Sequence, residues 1–113
     1  MTAPTAPAPV VSSKPVDAKR NYFWDFSLQP EIVAGDLIAS VSPINAYGVS
    51  GGIPDGSLSI GAPLINNVQK RVYAFIQGGT PGTQTLLECI IVTDGLKSGQ
   101  AATIAKAFIL PVN

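Results

Sequence analysis

The residues able to do chemistry are few and widely spaced. The chain has 113 residues, no histidine, a single cysteine and seven carboxylates: Asp17, Asp25, Glu31, Asp36, Asp55, Glu88 and Asp94. Without histidine, neither a Ser-His-Asp triad nor a Cys-His pair can be built. Cys89 makes no intrachain disulfide and cannot complete a zinc site. Its neighbours Leu87 and Ile91 make it read as a buried thiol on an apolar strand face. The carboxylates come singly, so no motif sets two of them across one glycosidic bond. Gly78-Gly79-Thr80-Pro81-Gly82-Thr83 lacks the Lys-Ser/Thr ending and the following helix of a phosphate loop, and reads as a turn. Gly51-Gly52 reads the same way. The sequence points away from an enzyme and calls for no metal or cofactor.

The elements around these residues read as β-structure. No window carries sustained helical periodicity, whereas short apolar runs alternate with Gly, Pro, Asn and Asp. Strands are expected over residues 21–28, 37–41, 57–64, 68–77, 84–93 and 101–112. Pro30 starts and Gly35 stops one helical turn between the first two. Residues 47–56 form a glycine-rich connection. Asn66-Asn67, where asparagine tolerates the positive φ of a tight turn, and Asp94-Gly95 mark turns. Val72, Ala74 and Ile76 share one face of their strand, with Arg71, Tyr73, Phe75 and Gln77 on the other. Residues 84–93 are apolar on both faces, as a central strand is. The architecture expected is an all-β antiparallel sandwich of about six to eight strands over residues 21–113.

Residues 1–20 are different. They are proline-rich, with no periodic apolar face, and cannot bury enough surface to fold alone. They read as an extended arm. Hydrophobic residues make up 46% of the chain and charged residues 12%, about half the usual charged share of roughly 25%. A small domain this short of charge is expected to hide part of its surface against other protein. The net charge is zero, which gives no footprint for nucleic acid. No apolar run is long enough for a membrane helix. Prolines interrupt any signal-peptide core, so the chain is expected to be made and used without export.

Candidate contact residues follow from this. In the arm they are Pro4, Pro7, Pro9, Val10, Val11, Lys14, Lys19 and Arg20. Just beyond it, Tyr22 or Phe23 is a candidate anchor, while alternate aromatics of the Tyr22-Phe23-Trp24-Asp25-Phe26 run fill the core. In the loops they are Tyr47, Gly51, Gly52, Asp55, Thr80 and Pro81. Glu88, mid-strand, is expected either in water or paired with Lys70, Arg71 or Lys106.

Several segments occur in a telling order: Tyr22-Phe23-Trp24-Asp25-Phe26-Ser27, Ala34-Gly35-Asp36-Leu37-Ile38, Ser57-Leu58-Ser59-Ile60-Gly61, Gly78-Gly79-Thr80-Pro81-Gly82-Thr83, and Thr93-Asp94-Gly95 through to Ala107-Phe108-Ile109-Leu110-Pro111-Val112. This order resembles small immunoglobulin-like virion proteins of tailed bacteriophages, over residues 22–112. The resemblance implies an immunoglobulin-like sandwich serving as a capsid decoration protein, a collar or fibre component, or a head–tail accessory. It would be assembled in the host cytoplasm with other virion proteins, as a homo-oligomer in the particle. It offers no catalytic residues. The alternative is a module displaying its loops to a carbohydrate or host surface. If the arm does the docking, deleting residues 1–20 is expected to leave a folded sandwich that no longer enters the assembly.

Overall fold

In the computed structural model, residues 8–49 and 56–113 are described. They form strands β1 (Arg20–Asp25), β2 (Ile38–Val41), β3 (Asn45–Gly48), β4 (Leu58–Ile60), β5 (Leu64–Asn66), β6 (Arg71–Gly78), β7 (Gln84–Thr93) and β8 (Thr103–Pro111), with one helical turn, α1 (Pro30–Val33). Pro30 opens α1 where a missing N–H costs nothing, and Gly35 leaves it at φ 113°.

Strand alternation sets the faces. Val72, Ala74 and Ile76 of β6 are buried beside Trp24 and Phe26, against Leu87, Cys89 and Ile91 of β7 and Phe108, Leu110 and Val112 at the end of the chain. Two antiparallel sheets pack across this core, giving an all-β sandwich. Each sheet is organised around one strand. β6 pairs with β1 on one side and with β4 and β5, end to end, on the other. β7 pairs with β8 on one side and with β2 and β3 on the other. The strand apolar on both faces is therefore interior to its sheet, where that pattern is stable. The Trp24 indole N–H ties the layers together by donating to Leu87 O at 3.1 Å.

Three local expectations change. The strand expected over residues 57–64 is broken into β4 and β5 by Gly61-Ala62-Pro63, since Pro63 has no N–H for a continuous ladder. In the turn after β5 the positive φ falls on Lys70, at 59°, and not on an asparagine. Asn67 works through its side chain instead. Its Oδ1 accepts from Ile38 N at 2.8 Å and its Nδ2 donates to Ile38 O at 3.1 Å, so an amide stands in for a strand partner of β2. The third change is Tyr47, expected in a loop, which lies in β3 with its side chain buried.

The described part of the arm belongs to the sandwich. Val10 and Lys14 form parallel bridges to Ile109 and Val112. Ile109 N donates to Pro9 O at 2.8 Å and Val11 N to Ile109 O at 3.0 Å. Lys14 N donates to Pro111 O and Asn113 N to Lys14 O, both at 2.9 Å. The arm thus lies along the end of β8 and then crosses to β1 in the other sheet. Lys14 corrects the expectation of a cation reaching for a neighbour. Its side chain has no accessible surface, and Nζ donates to Pro15 O and Ala18 O, both at 2.8 Å. Burial, and then the repulsion of Arg20, lowers its pKa.

These contacts predict unequal effects of truncation. Removing residues 1–7 should leave the melting midpoint nearly unchanged. Removing residues 1–15 takes away the four main-chain hydrogen bonds to residues 109–113 and the bridge beside Val112, and should cost roughly 2–4 kcal/mol in urea denaturation. Equal stability of the two truncations would show that the arm does not hold the sheet edge.

Candidate functional site

The outer face of the β1–β6 sheet is the best-formed surface for docking. Antiparallel register sets Asn21 opposite Phe75, Phe23 opposite Tyr73 and Asp25 opposite Arg71. Leu64 of β5 lies on the far side of Tyr73. The result is an apolar patch on the outer face of this sheet, with Phe23 45%, Phe75 47% and Leu64 66% exposed. Rings of Phe23 and Tyr73 stand 5.8 Å apart. Cations rim the patch. The Arg71 guanidinium lies 4.1 Å from the Phe23 ring centre and Lys19 Nζ 5.3 Å from that of Phe75. Such contacts are worth about 0.5–1 kcal/mol at exposed sites and orient the rings more than they hide them. Arg71 also meets Asp25 at 3.6 Å. A backbone hydrogen bond from Ser27, then the cations nearby, holds the Asp25 carboxyl below the ordinary aspartate range.

A groove of about 300 Å³ runs along the open side of the sandwich, between β1 and β8. Tyr22, Trp24 and Phe108 line it with Pro9 and Val11 of the arm, and Lys106 stands at its rim. Phe108 stacks at a tilt on Tyr22 and Trp24, with centroids 5.7 and 5.0 Å apart. Lys106 points inward from β8 and donates to Asp25 O at 2.5 Å, closing one end of the groove.

The structure divides the residues singled out from the sequence. Tyr22 and Phe23 part company: Phe23 is exposed on the sheet, while Tyr22 faces the groove. Their order was readable, because Tyr22 shares its parity with the core residues Trp24 and Phe26. Lys19 reaches the aromatic face. Arg20 opens β1 and reaches Ser13 O at 3.4 Å. Val10 is exposed beside β8, and Pro9 and Val11 line the groove. Thr80 and Pro81 are exposed in the turn between β6 and β7, where Thr80 O accepts from Thr83 N at 3.2 Å. Tyr47 is no loop contact; burial, and then the Glu88 charge, pushes its phenol pKa up. Pro4, Pro7, Gly51, Gly52 and Asp55 lie outside the described residues. Glu88 takes neither expected role: it is buried, and Asn45 Nδ2 donates to its Oε1 at 3.2 Å.

Sequence reading missed what two carboxylates do together. Asp36 has no accessible surface. Its Oδ1 accepts from Lys97 N at 2.9 Å and Ser98 N at 2.8 Å, and its Oδ2 from the Ser98 hydroxyl at 2.5 Å. Asp94 Oδ1 accepts from Leu37 N and Leu96 N, both at 3.2 Å. The Ala34–Ile38 and Thr93–Gly95 segments, far apart in the chain, are thus clamped together. Their glycines serve the clamp: a Cβ on Gly95, whose φ is 68°, would sit 2.4 Å from Ala101 N. These carboxylates fix loops and leave little capacity for chemistry. Cys89 is similarly inert, its pKa pushed up to about 12 by burial and then by Glu88. Among the described residues, no three His, Cys, Asp or Glu side chains gather into a metal site.

Hydrogen bonds from Ser98, its hydroxyl foremost, lower the Asp36 pKa. A carboxyl with a depressed folded pKa stabilises the fold above its unfolded value, near 3.8, and that contribution is lost as pH falls through the folded value. Thermal melts from neutral pH down to about pH 2 should therefore drop steeply below about pH 4. Asp36→Asn should melt lower at neutral pH and lose less on acidification. An unchanged acid limb in this variant would remove Asp36 as its cause.

Compared with known proteins, the chain matches no family model and no curated sequence.

Proposed function

We propose that this protein is a non-enzymatic structural subunit of a bacteriophage virion. It joins neighbouring subunits through its apolar sandwich surface and the N-terminal end of its arm, as a capsid decoration protein or a head–tail, collar or fibre component. The observation that carries the docking reading is the patch of Phe23, Phe75 and Leu64 on the β1–β6 sheet. Aromatic side chains on a rigid strand lose little entropy on contact and dominate the energy of interfaces. The low charge of the chain agrees with a surface that meets other protein. The virion reading draws its support from the resemblance of the motif order. The immunoglobulin-like assignment draws its support from the strand neighbours, with β1, β6 and β4 in one sheet and β2, β7 and β8 in the other.

Both phenylalanine side chains point away from the core, so changing them separates docking from folding. Phe23→Ser with Phe75→Ser should keep the thermal midpoint within a few degrees. Occupancy on particles that lack the protein, imaged at subunit resolution, should fall by about tenfold or more. Full occupancy would exclude this face as the contact. Loss of binding to a glycan array, with occupancy unchanged, would favour the carbohydrate-binding alternative.

A further inference from the structure

Next to the aromatic patch, a pocket of about 230 Å³ opens on the same outer face. Strand register builds it. Ser59 of β4 lies opposite Gln77 of β6, and Arg20 lies opposite Ile76, which sets Lys19 beside Gln77 on the β1 side. Alternation turns Lys19, Gln77 and Ser59 outward in one row across the sheet. The next row is Asn21, Phe75 and Gly61, with Gly61 N donating to Phe75 O at 2.8 Å. A Cβ on Gly61 would stand 3.8 Å from that of Phe75, so glycine leaves the space between the rows open.

The pocket is rich in donors. Lys19 Nζ, the Ser59 hydroxyl and the Gln77 amide have no hydrogen-bond partner among the described residues. The Lys19 ammonium leans on Phe75, 5.3 Å from the ring centre, and a ring attracts a cation without neutralising it. Asp55 aside, the chain's side-chain carboxylates are all described, and none lines the pocket. The described ion pair is Arg71 with Asp25. A carboxylate fits these donors, since it carries the opposite charge and accepts several hydrogen bonds at once. Size narrows the source. Sites for whole small molecules run to about 300–1,000 Å³, so this pocket suits one side chain better than a sugar.

We infer that this pocket receives an Asp or Glu side chain of the neighbouring subunit that docks on the aromatic face. Phe75 belongs to both the pocket and the patch, so one segment of that partner reaches them together. The aromatic patch supplies contact energy without direction, and the buried charge pair fixes register and orientation. The inference rests on the docking role proposed above and names the chemistry of the partner's contact.

Binding of the full-length protein to particles that lack it, measured across a range of salt, tests this. Lys19→Gln should weaken binding about tenfold and flatten its salt dependence, while Lys19→Arg should keep both. Gln77→Glu sets a carboxylate beside Lys19 and should weaken binding by a similar factor, through pairing with Lys19 and repulsion of the incoming acid. Both side chains are exposed, so thermal midpoints should hold. Unchanged affinity and salt dependence in Lys19→Gln overturn the inference. If the Phe23 and Phe75 variant still loses occupancy in that case, the docking role stands without it. A stability loss in Lys19→Gln that Asp55→Asn reproduces, with particle binding unchanged, assigns the pocket to a carboxylate of the same chain and overturns the inference too. Lys19-dependent binding of an oligoglucuronate, again with particle binding unchanged, overturns it in favour of an acidic glycan.

Discussion

Bare strand edges are the constraint on which this structure turns. Each sheet has one strand paired on both sides, β6 or β7, so every other described strand has an open flank. An open flank is a row of unpaired N–H and C=O groups and a template for pairing with another chain. The protein treats its edges differently. β4 and β5 are short and interrupted at Pro63, and β2 and β3 are short and separated around Pro43. Asn67 satisfies both main-chain groups of Ile38 with its amide. The arm covers the end of β8, and Lys106 bridges the open side to Asp25 O. Among the described residues, β1 and the first half of β8 keep stretches with no strand partner on one side, and both border the aromatic groove.

The motifs with the clearest sequence signature have structural work to do. Asp36 and Asp94 bind backbone N–H groups and join two segments about sixty positions apart. The glycine run after β6 includes Gly79, where a Cβ would come within 2.9 Å of Leu58 and Val112. The order of these motifs, which carries the resemblance to virion proteins, is thus a set of requirements for closing a small sandwich. A signature made of fold requirements speaks first about architecture. Function must be argued from what remains outside the core, namely exposed aromatics and open edges.

The arm illustrates how composition and contact differ. Its prolines and small residues give no periodic face, and by composition it reads as a free extension. Residues 9–14 nevertheless find main-chain partners on β8, because a strand edge asks only for donors and acceptors at the right spacing. Lys14 shows the same dependence on context: a cation that composition places in water is enclosed by carbonyls of its own turn.

Most strand positions, their inward faces and the interior place of β7 were legible in the sequence, because side chains alternate along a strand and an apolar pattern on both faces fits only an interior position; β3 was not, because its residues Asn45–Gly48 lead into a glycine-rich stretch that reads as a loop. The positions of Pro and Gly placed the helical turn and most loops for the same local reason. The candidate site was half legible. Phe23 was singled out, but its partners were not, because Phe75, Tyr73 and Leu64 join it through strand pairing over some fifty positions of chain. The burial of Tyr47 and Lys14, the clamp of Asp36 and Asp94, and the choice of which edges stay open were decided by tertiary structure. Each depends on which distant backbone groups arrive opposite a side chain, and no local pattern encodes that.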